Sequence, residues 1–298
     1  MTPINISALR HSAFYAPLLV TISGDFLRDE GLVPHYQPLP AGANLTALLE
    51  RGEVQLAQSA VATGFAGLER GERSAIRHFA AINVRDGFFI AGRHPEPHFQ
   101  WQQLVGRSLL ADHFFQPLAM LRYGLHRQGV DWQQINVIDA GDVVAIDTAF
   151  RQGEGDYVHQ QGPAPQQLAA EQIGYPVAAV GDAVGEVAFS SLCAHSNWLE
   201  SDQAAAFTRG YQRARAWVQQ ASADAIAEQL HRFFPSITLP VLTTTVERYQ
   251  QLGCWEGGIE ITERSYERLL DVFQFSGGIT QRHRYDTVVV APPNPLYP

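Results

Sequence analysis

The sequence predicts an α/β protein of two lobes, each organised around a largely parallel sheet. Three observations predict it. Residues 3–58 read strand, helix, strand, helix, strand; residues 107–180 repeat that alternation; and a β-branched and aromatic run at 188–194 carries the chain back toward the first lobe. The expected division is lobe 1 over 1–93 together with about 188–298, and lobe 2 over about 94–187.

Taken in order, the first lobe opens with a strand at 3–9, a helix at 13–31, a strand at 33–39, a helix at 43–52 and a strand at 54–58. A helix at 61–70 follows, then two β-rich runs, 75–83 and 87–93, separated by Arg85-Asp86. Residues 94–100 hold two prolines and read as a loop into a short helix. The second lobe continues with a strand at 107–111 and a helix at 116–128 that places Leu118, Leu121, Tyr123 and Leu125 roughly along one side. Segments 136–139, 142–152, 156–159, 165–173 and 177–180 complete its alternation. Beyond 202 the pattern turns helical, at 202–219, 223–233, 244–252 and 262–275, with Asp202 and Thr262 as expected N-caps. Residues 291–298, with four prolines, read as an extended tail.

Composition narrows the chemistry. A chain of 298 residues, 46% hydrophobic and 17% charged, has ample core-forming material, and disorder is not expected. The net charge of -9 comes without a basic cluster, and Arg282-His283-Arg284 is too small a patch for a nucleic-acid partner. All 21 basic residues are arginine. With no lysine there is no internal Schiff base and no Walker-type phosphate lysine, so arginine forks must hold any anion. Cys193 and Cys254 lack metal or redox spacing and read as buried thiols. No cofactor is called for, and no apolar stretch approaches a membrane span. The opening Met-Thr-Pro-Ile-Asn-Ile-Ser lacks a secretory pattern, so the sequence as written reads as cytoplasmic, or as periplasmic if its start is trimmed or misassigned.

Two stretches carry a resemblance. Phe26-Leu27-Arg28-Asp29-Glu30-Gly31-Leu32 followed by Leu48-Leu49-Glu50-Arg51-Gly52-Glu53-Val54-Gln55-Leu56-Ala57 resembles the amino-terminal signature of the type II periplasmic-binding-protein superfamily. The nearest group within it holds the sulfonate, nitrate and taurine binding proteins together with the thiamine-pyrimidine synthase family. Gln55 stands where that group has an acidic residue, and in Val105-Gly106-Arg107-Ser108-Leu109, which resembles the step opening the second lobe, Arg107 replaces a lysine. The resemblance implies a two-lobed periplasmic-binding-protein-like fold with a ligand cleft between the lobes. It implies either a transport receptor with an ABC permease partner or an enzyme, since the fold hosts both. The iron motif and pyridoxal-phosphate lysine of the synthases are missing. Where the aromatic-sulfinate desulfinases of this fold carry a nucleophilic cysteine, this chain reads Arg10-His11-Ser12-Ala13-Phe14-Tyr15.

Parallel sheets place ligands at the carboxyl ends of their strands, so the strand-to-helix corners are the candidate site. In the first corner, Arg10 and His11 line the cleft while Ser12 caps the helix, or His11 serves as base to a Ser12 nucleophile; Phe14 and Tyr15 offer an aromatic wall. Ser59 closes the third strand, and Arg85 lies between the two β-rich runs at 75–83 and 87–93. In the second lobe, Asp112, His113 and Phe114 follow a strand, where Asp112 favours an amine or ring nitrogen, or simply caps the helix. Tyr157, His159 and Gln160 supply uncharged donors and acceptors from a polar strand end. His94, Glu96 and His98 sit in a proline-rich loop without metal-ligand spacing, and Asp142 reads as an N-cap. The expected ligand is a small aromatic, heteroaromatic or sulfonate-like molecule, taken up by a transport component or a cytosolic sensor. An enzyme would use His11, His113 or His159 for proton transfer in lyase or hydrolase chemistry of the desulfinase or decarboxylase kind.

Overall fold

The computed structural model describes residues 1–293, so the expected tail at 291–298 lies mostly outside the described residues. Among the described residues ten strands form two five-stranded sheets. The first contains β1 (Thr2–Ala8), β2 (Leu32–Pro38), β3 (Leu56–Ala60), β4 (Ile76–Asn83) and β10 (Ser190–His195), in the order β2-β1-β3-β10-β4. The second contains β5 (Phe88–Gly92), β6 (Ser108–Leu110), β7 (Asn136–Ile138), β8 (Tyr157–Gln161) and β9 (Tyr175–Ala179), in the order β7-β6-β8-β5-β9.

Each sheet contains one strand that runs against its neighbours: β10 pairs antiparallel with β3 and β4, and β5 with β8 and β9. The reason is connectivity. Strands that feed corners on the cleft edge end there, whereas β5 and β10 arrive from the other lobe and must begin there. Hence Phe88 lies opposite Gln161, and Ser190 opposite both Ala60 and Asn83. This corrects the sequence boundary: 87–93, counted with the first lobe, pairs in the second sheet, and the chain changes lobes at 84–87 instead of near 94.

The crossovers at 84–87 and 180–189 are packed to contact. A Cβ on Gly181 would meet the Asp86 carbonyl oxygen at 2.4 Å, and one on Gly87 the Phe14 ring at 2.4 Å. Between them the Asp86 carboxylate is buried, accepts from the Phe88 amide, and has an Oδ2 without a partner. Burial, with Asp112 as a further negative charge, pushes this carboxyl up to about 8. The sign follows from proton binding: between the ordinary 3.8 and about 8 the folded chain holds a proton that the unfolded chain has released, so stability falls as pH rises across that window. Burial pushes His78 and His159 down to about 4, which acts oppositely but only below the ordinary 6.5. Unfolding free energies from pH 6.5 to 8, taken from denaturation curves, are therefore expected to decline by up to ~1.4 kcal/mol per pH unit, and Asp86→Asn to flatten that decline. Parallel slopes for variant and parent would contradict this.

The first long helix departs from expectation. The 13–31 pattern resolves into a 3-10 turn at Ala13–Tyr15, a helix at Ala16–Ser23 and a second 3-10 turn at Arg28–Glu30. Gly24 ends the helix in extended geometry because the Phe26 ring packs where its Cβ would be, at 2.8 Å. Ser12 caps the first turn, Thr262 caps the Glu263–Ser276 helix, and Asp142 caps Val143–Arg151. Asp202 does not cap; Ser201 accepts from the Ala204 amide and Asp202 falls in the first turn. The Asp202–Gln220 helix is tied to the first lobe by Arg209 and Arg213, which both reach Glu30. Its buried Arg215 donates to the carbonyls of Ile82 and Glu256. Both cysteines are free and buried, and burial pushes the Cys193 thiol up to about 12.

Candidate functional site

The carboxyl ends of β1, β6 and β8 and one face of the Val143–Arg151 helix converge on a cleft of about 950 Å³ between the lobes. Its floor is bonded across. The Arg10 guanidinium forks onto Asp112, Nη1 to Oδ2 at 2.8 Å and Nη2 to Oδ1 at 3.2 Å, and the Ser12 hydroxyl donates to the Gly162 carbonyl at 2.7 Å. Burial alone would raise the Asp112 carboxyl, but hydrogen bonds and charge from Arg10 outweigh it and hold the group below its ordinary value. Arg10 also lies over Phe114, 4.6 Å from the ring centroid, and over Phe88 at 5.8 Å.

The histidines have distinct surroundings. His11 is held by both ring nitrogens, to the Tyr36 hydroxyl at 2.9 Å and the Phe233 carbonyl at 3.0 Å, and stacks on Phe234. Since a carbonyl only accepts, Nε2 carries the proton and Nδ1 accepts from Tyr36. The Ser12 hydroxyl is directed at Gly162 and caps Phe14, so it does not pair with His11. His113 donates from Nδ1 to the Ala111 carbonyl at 2.8 Å, with Asp139 3.6 Å away. His159 is fully buried and stacked on Phe88, with neither ring nitrogen partnered; at about 4 it is neutral near pH 7.

Of the residues expected at the site, the cleft brings together Arg10, His11, Ser12, Asp112, His113, Phe114, His159 and Gln160. Tyr15 lies deeper, in a small hollow that Gln161 and Ser190 also line. Four others lie elsewhere. Phe14 is packed among Gly87, Phe189 and Tyr249 and forms no cleft wall. Strand alternation sends Ser59 to the opposite face, where it bonds Thr63 and lines a separate cavity of about 830 Å³; its neighbour Gln58 accepts from the Arg10 amide instead. Tyr157 begins β8, away from the cleft end, with its hydroxyl on Glu96. Arg85 sits in the crossover, its Cβ beside Gly181.

Sequence reading missed the wall contributed by the Val143–Arg151 helix. Val143, Ile146, Asp147 and Arg151 all line the cleft. Their spacing of three, four and eight places them on one helical face, and a face that mixes two apolar residues with an acid and an arginine was the signal available. Gln167, one turn into the next helix, was also missed. Among the described residues no three or more histidine, cysteine, aspartate or glutamate side chains gather to hold a metal, and no helix is long and apolar enough to cross a membrane.

Two mixed α/β lobes joined by two crossovers, with the strand ends facing a shared cleft, define a periplasmic-binding-protein fold, the class that the amino-terminal motifs resemble. No family model matches the chain. Over 294 residues it is 28% identical to YtlA of Bacillus subtilis, provisionally named a binding protein, with 97% of this chain and 88% of YtlA covered. Among solved structures it is similar to a zinc-bound ligand-binding component of an ABC-type import system from Staphylococcus aureus. There the identity is 14%, the TM-score 0.77, and 99% of this chain and 98% of that chain are covered. It is also similar to the periplasmic aliphatic sulphonate binding protein SsuA of Escherichia coli, at 13% identity and TM-score 0.73, covering 100% of this chain and 94% of SsuA.

Proposed function

We propose that the protein binds a small organic molecule, aromatic, heteroaromatic or sulfonate-like, in the interlobe cleft, as the substrate-binding component of an ABC-type importer. The observation that supports it best is the cleft itself: a volume suited to a small ligand, at the carboxyl ends of both sheets, bordered by apolar surface and by polar groups without protein partners. Phe114 and Val143 line it and are 46% and 53% exposed, an apolar rim that a flat organic ligand would cover. Binding components of import systems among the similar structures support the same role.

A permease partner requires the chain on the outer side of the membrane, whereas a sensor role keeps it in the cytoplasm. Cell fractionation discriminates the two. An enzyme on this fold would need a nucleophile or a proton-transfer pair in the cleft. Ser12 and His11 are committed to other partners, His113 donates to the Ala111 carbonyl, and His159 is buried against Phe88, so the binding reading has the stronger support.

Native mass spectrometry of the purified protein tests the proposal. The expected result is a stoichiometric small molecule that is released on denaturation and rebinds. An empty cleft that takes up no compound from a metabolite extract, or recovery of a compound together with its transformed product, would count against it.

A further inference from the structure

We infer that the cleft selects an organic base, an amine, amidine or amino-substituted heterocycle carrying N–H donors, over a sulfonate or other anion. This deepens the proposed function and rests on the reading of the cleft as a ligand site.

The first ground is the state of the arginines. Arg10 and Arg151 are the arginines in the cleft wall, and neither is free. Arg10 is engaged in two-point fashion by Asp112, and Arg151 bonds both Asp147 and Glu171. Against those two cations the wall sets four carboxylates, Asp112, Asp139, Asp142 and Asp147, and a His159 that is neutral near pH 7. An entering sulfonate would meet a surface of net negative charge with no uncommitted guanidinium to receive it.

The second ground is independent of charge. Gln160 is 6% exposed, and its Nε2 donates to Asp147 Oδ1 at 3.0 Å. Gln167 Nε2 likewise donates to the Glu171 carboxylate. Ionised carboxylates only accept, so these contacts fix both amides with nitrogen toward the acid and leave both Oε1 atoms as the unsatisfied ends. Both Oε1 atoms are buried without a protein partner, and both residues line the cleft. An unpaired buried carbonyl is costly, and a ligand N–H removes that cost where a sulfonate oxygen would add repulsion. Gln161 Nε2, a buried donor at the same cleft, also lacks a partner, but the two acceptors and the four carboxylates outweigh it and favour a donor-rich cation, whose aromatic frame the exposed Phe114 face suits.

The test is isothermal titration of the intact protein with matched probes: benzamidine, aminopyridine and benzylamine against benzoate and benzenesulfonate. At least one base is expected to bind roughly tenfold or more tightly than every acid. Two variants report on the named groups. Asp142→Asn keeps the helix cap but removes one charge, and Gln167→Met keeps volume but removes one acceptor; each is expected to weaken the base about three- to tenfold, and neither to weaken the acids. Equal or tighter binding of benzenesulfonate would overturn the inference and leave the binding role standing. Silence from every probe would also overturn it, and if the purified protein releases no ligand on denaturation the binding role fails with it.

Discussion

Gly181→Ala is expected to destabilise the protein by about 3 kcal/mol or more, although alanine is the better helix former by ~1 kcal/mol. Gly181 is the second residue of the short Val180–Val184 helix at the start of the second crossover, where that helix presses on the first. An added Cβ would lie 2.4 Å from the Asp86 carbonyl oxygen and 3.2 Å from Leu252 Cδ2. The obstacle at 2.4 Å is backbone and has no rotamer to change, so relief must come from separating the two crossovers themselves. Gly64→Ala is the control: it has a helical backbone and nothing within 4 Å of the added carbon, so it should be neutral or slightly stabilising. Urea midpoints of the three proteins decide the matter, and a Gly181→Ala midpoint equal to the parent's would show that the crossovers are not packed as described.

Asp112→Asn carries the second large effect, because it cuts the ion pair that spans the lobes. Asp112 is nearly buried, while the Arg10 side chain is 20% exposed and still reaches water. The loss expected for a fully buried pair is therefore discounted to about 2 kcal/mol. The pH dependence has a definite sign. The folded Asp112 carboxyl sits below its ordinary value, so its contribution is complete above the ordinary aspartate range and is lost as pH falls through the lower folded value. The variant should lack that acid limb. It should also open more readily, since only the Ser12 to Gly162 bond then remains of the two contacts described across the cleft floor, and small-angle scattering should record a larger radius of gyration. An unchanged radius together with an unchanged acid limb would mean that the pair does not hold the lobes.

These effects concern the crossovers and the cleft floor, where sequence patterns were least informative. Periodicity identified the parallel strands of both lobes, because β1, β3, β6 and β8 alternate with helices in chain order and each is bounded by turn residues. The corners Arg10-His11-Ser12 and Asp112-His113-Phe114 were legible for the same reason: a strand that ends before a helix must end at the ligand edge. Ser59 was misplaced because a two-residue alternation is easy to read along a strand, but which phase faces the cleft is set by the neighbouring strands. The assignment of 87–93 failed similarly. Nothing local in Phe88–Gly92 distinguishes a strand that stays in one sheet from one that begins the next.

By itself the sequence determined the α/β class, the two-lobed plan, the absence of lysine chemistry and the strand ends where a ligand would sit, because all of these depend on residue type and short-range period. Only the tertiary structure decided how those groups pair. Arg10, 102 residues from Asp112, becomes a neutralised latch instead of a free anion grip, and Gln160, turned toward Asp147 of another segment, and Gln167, turned toward Glu171 at the end of its own helix, leave carbonyl oxygens without partners at the cleft. A charge declares its sign in the sequence, but whether it is spent depends on what the fold brings within hydrogen-bonding distance.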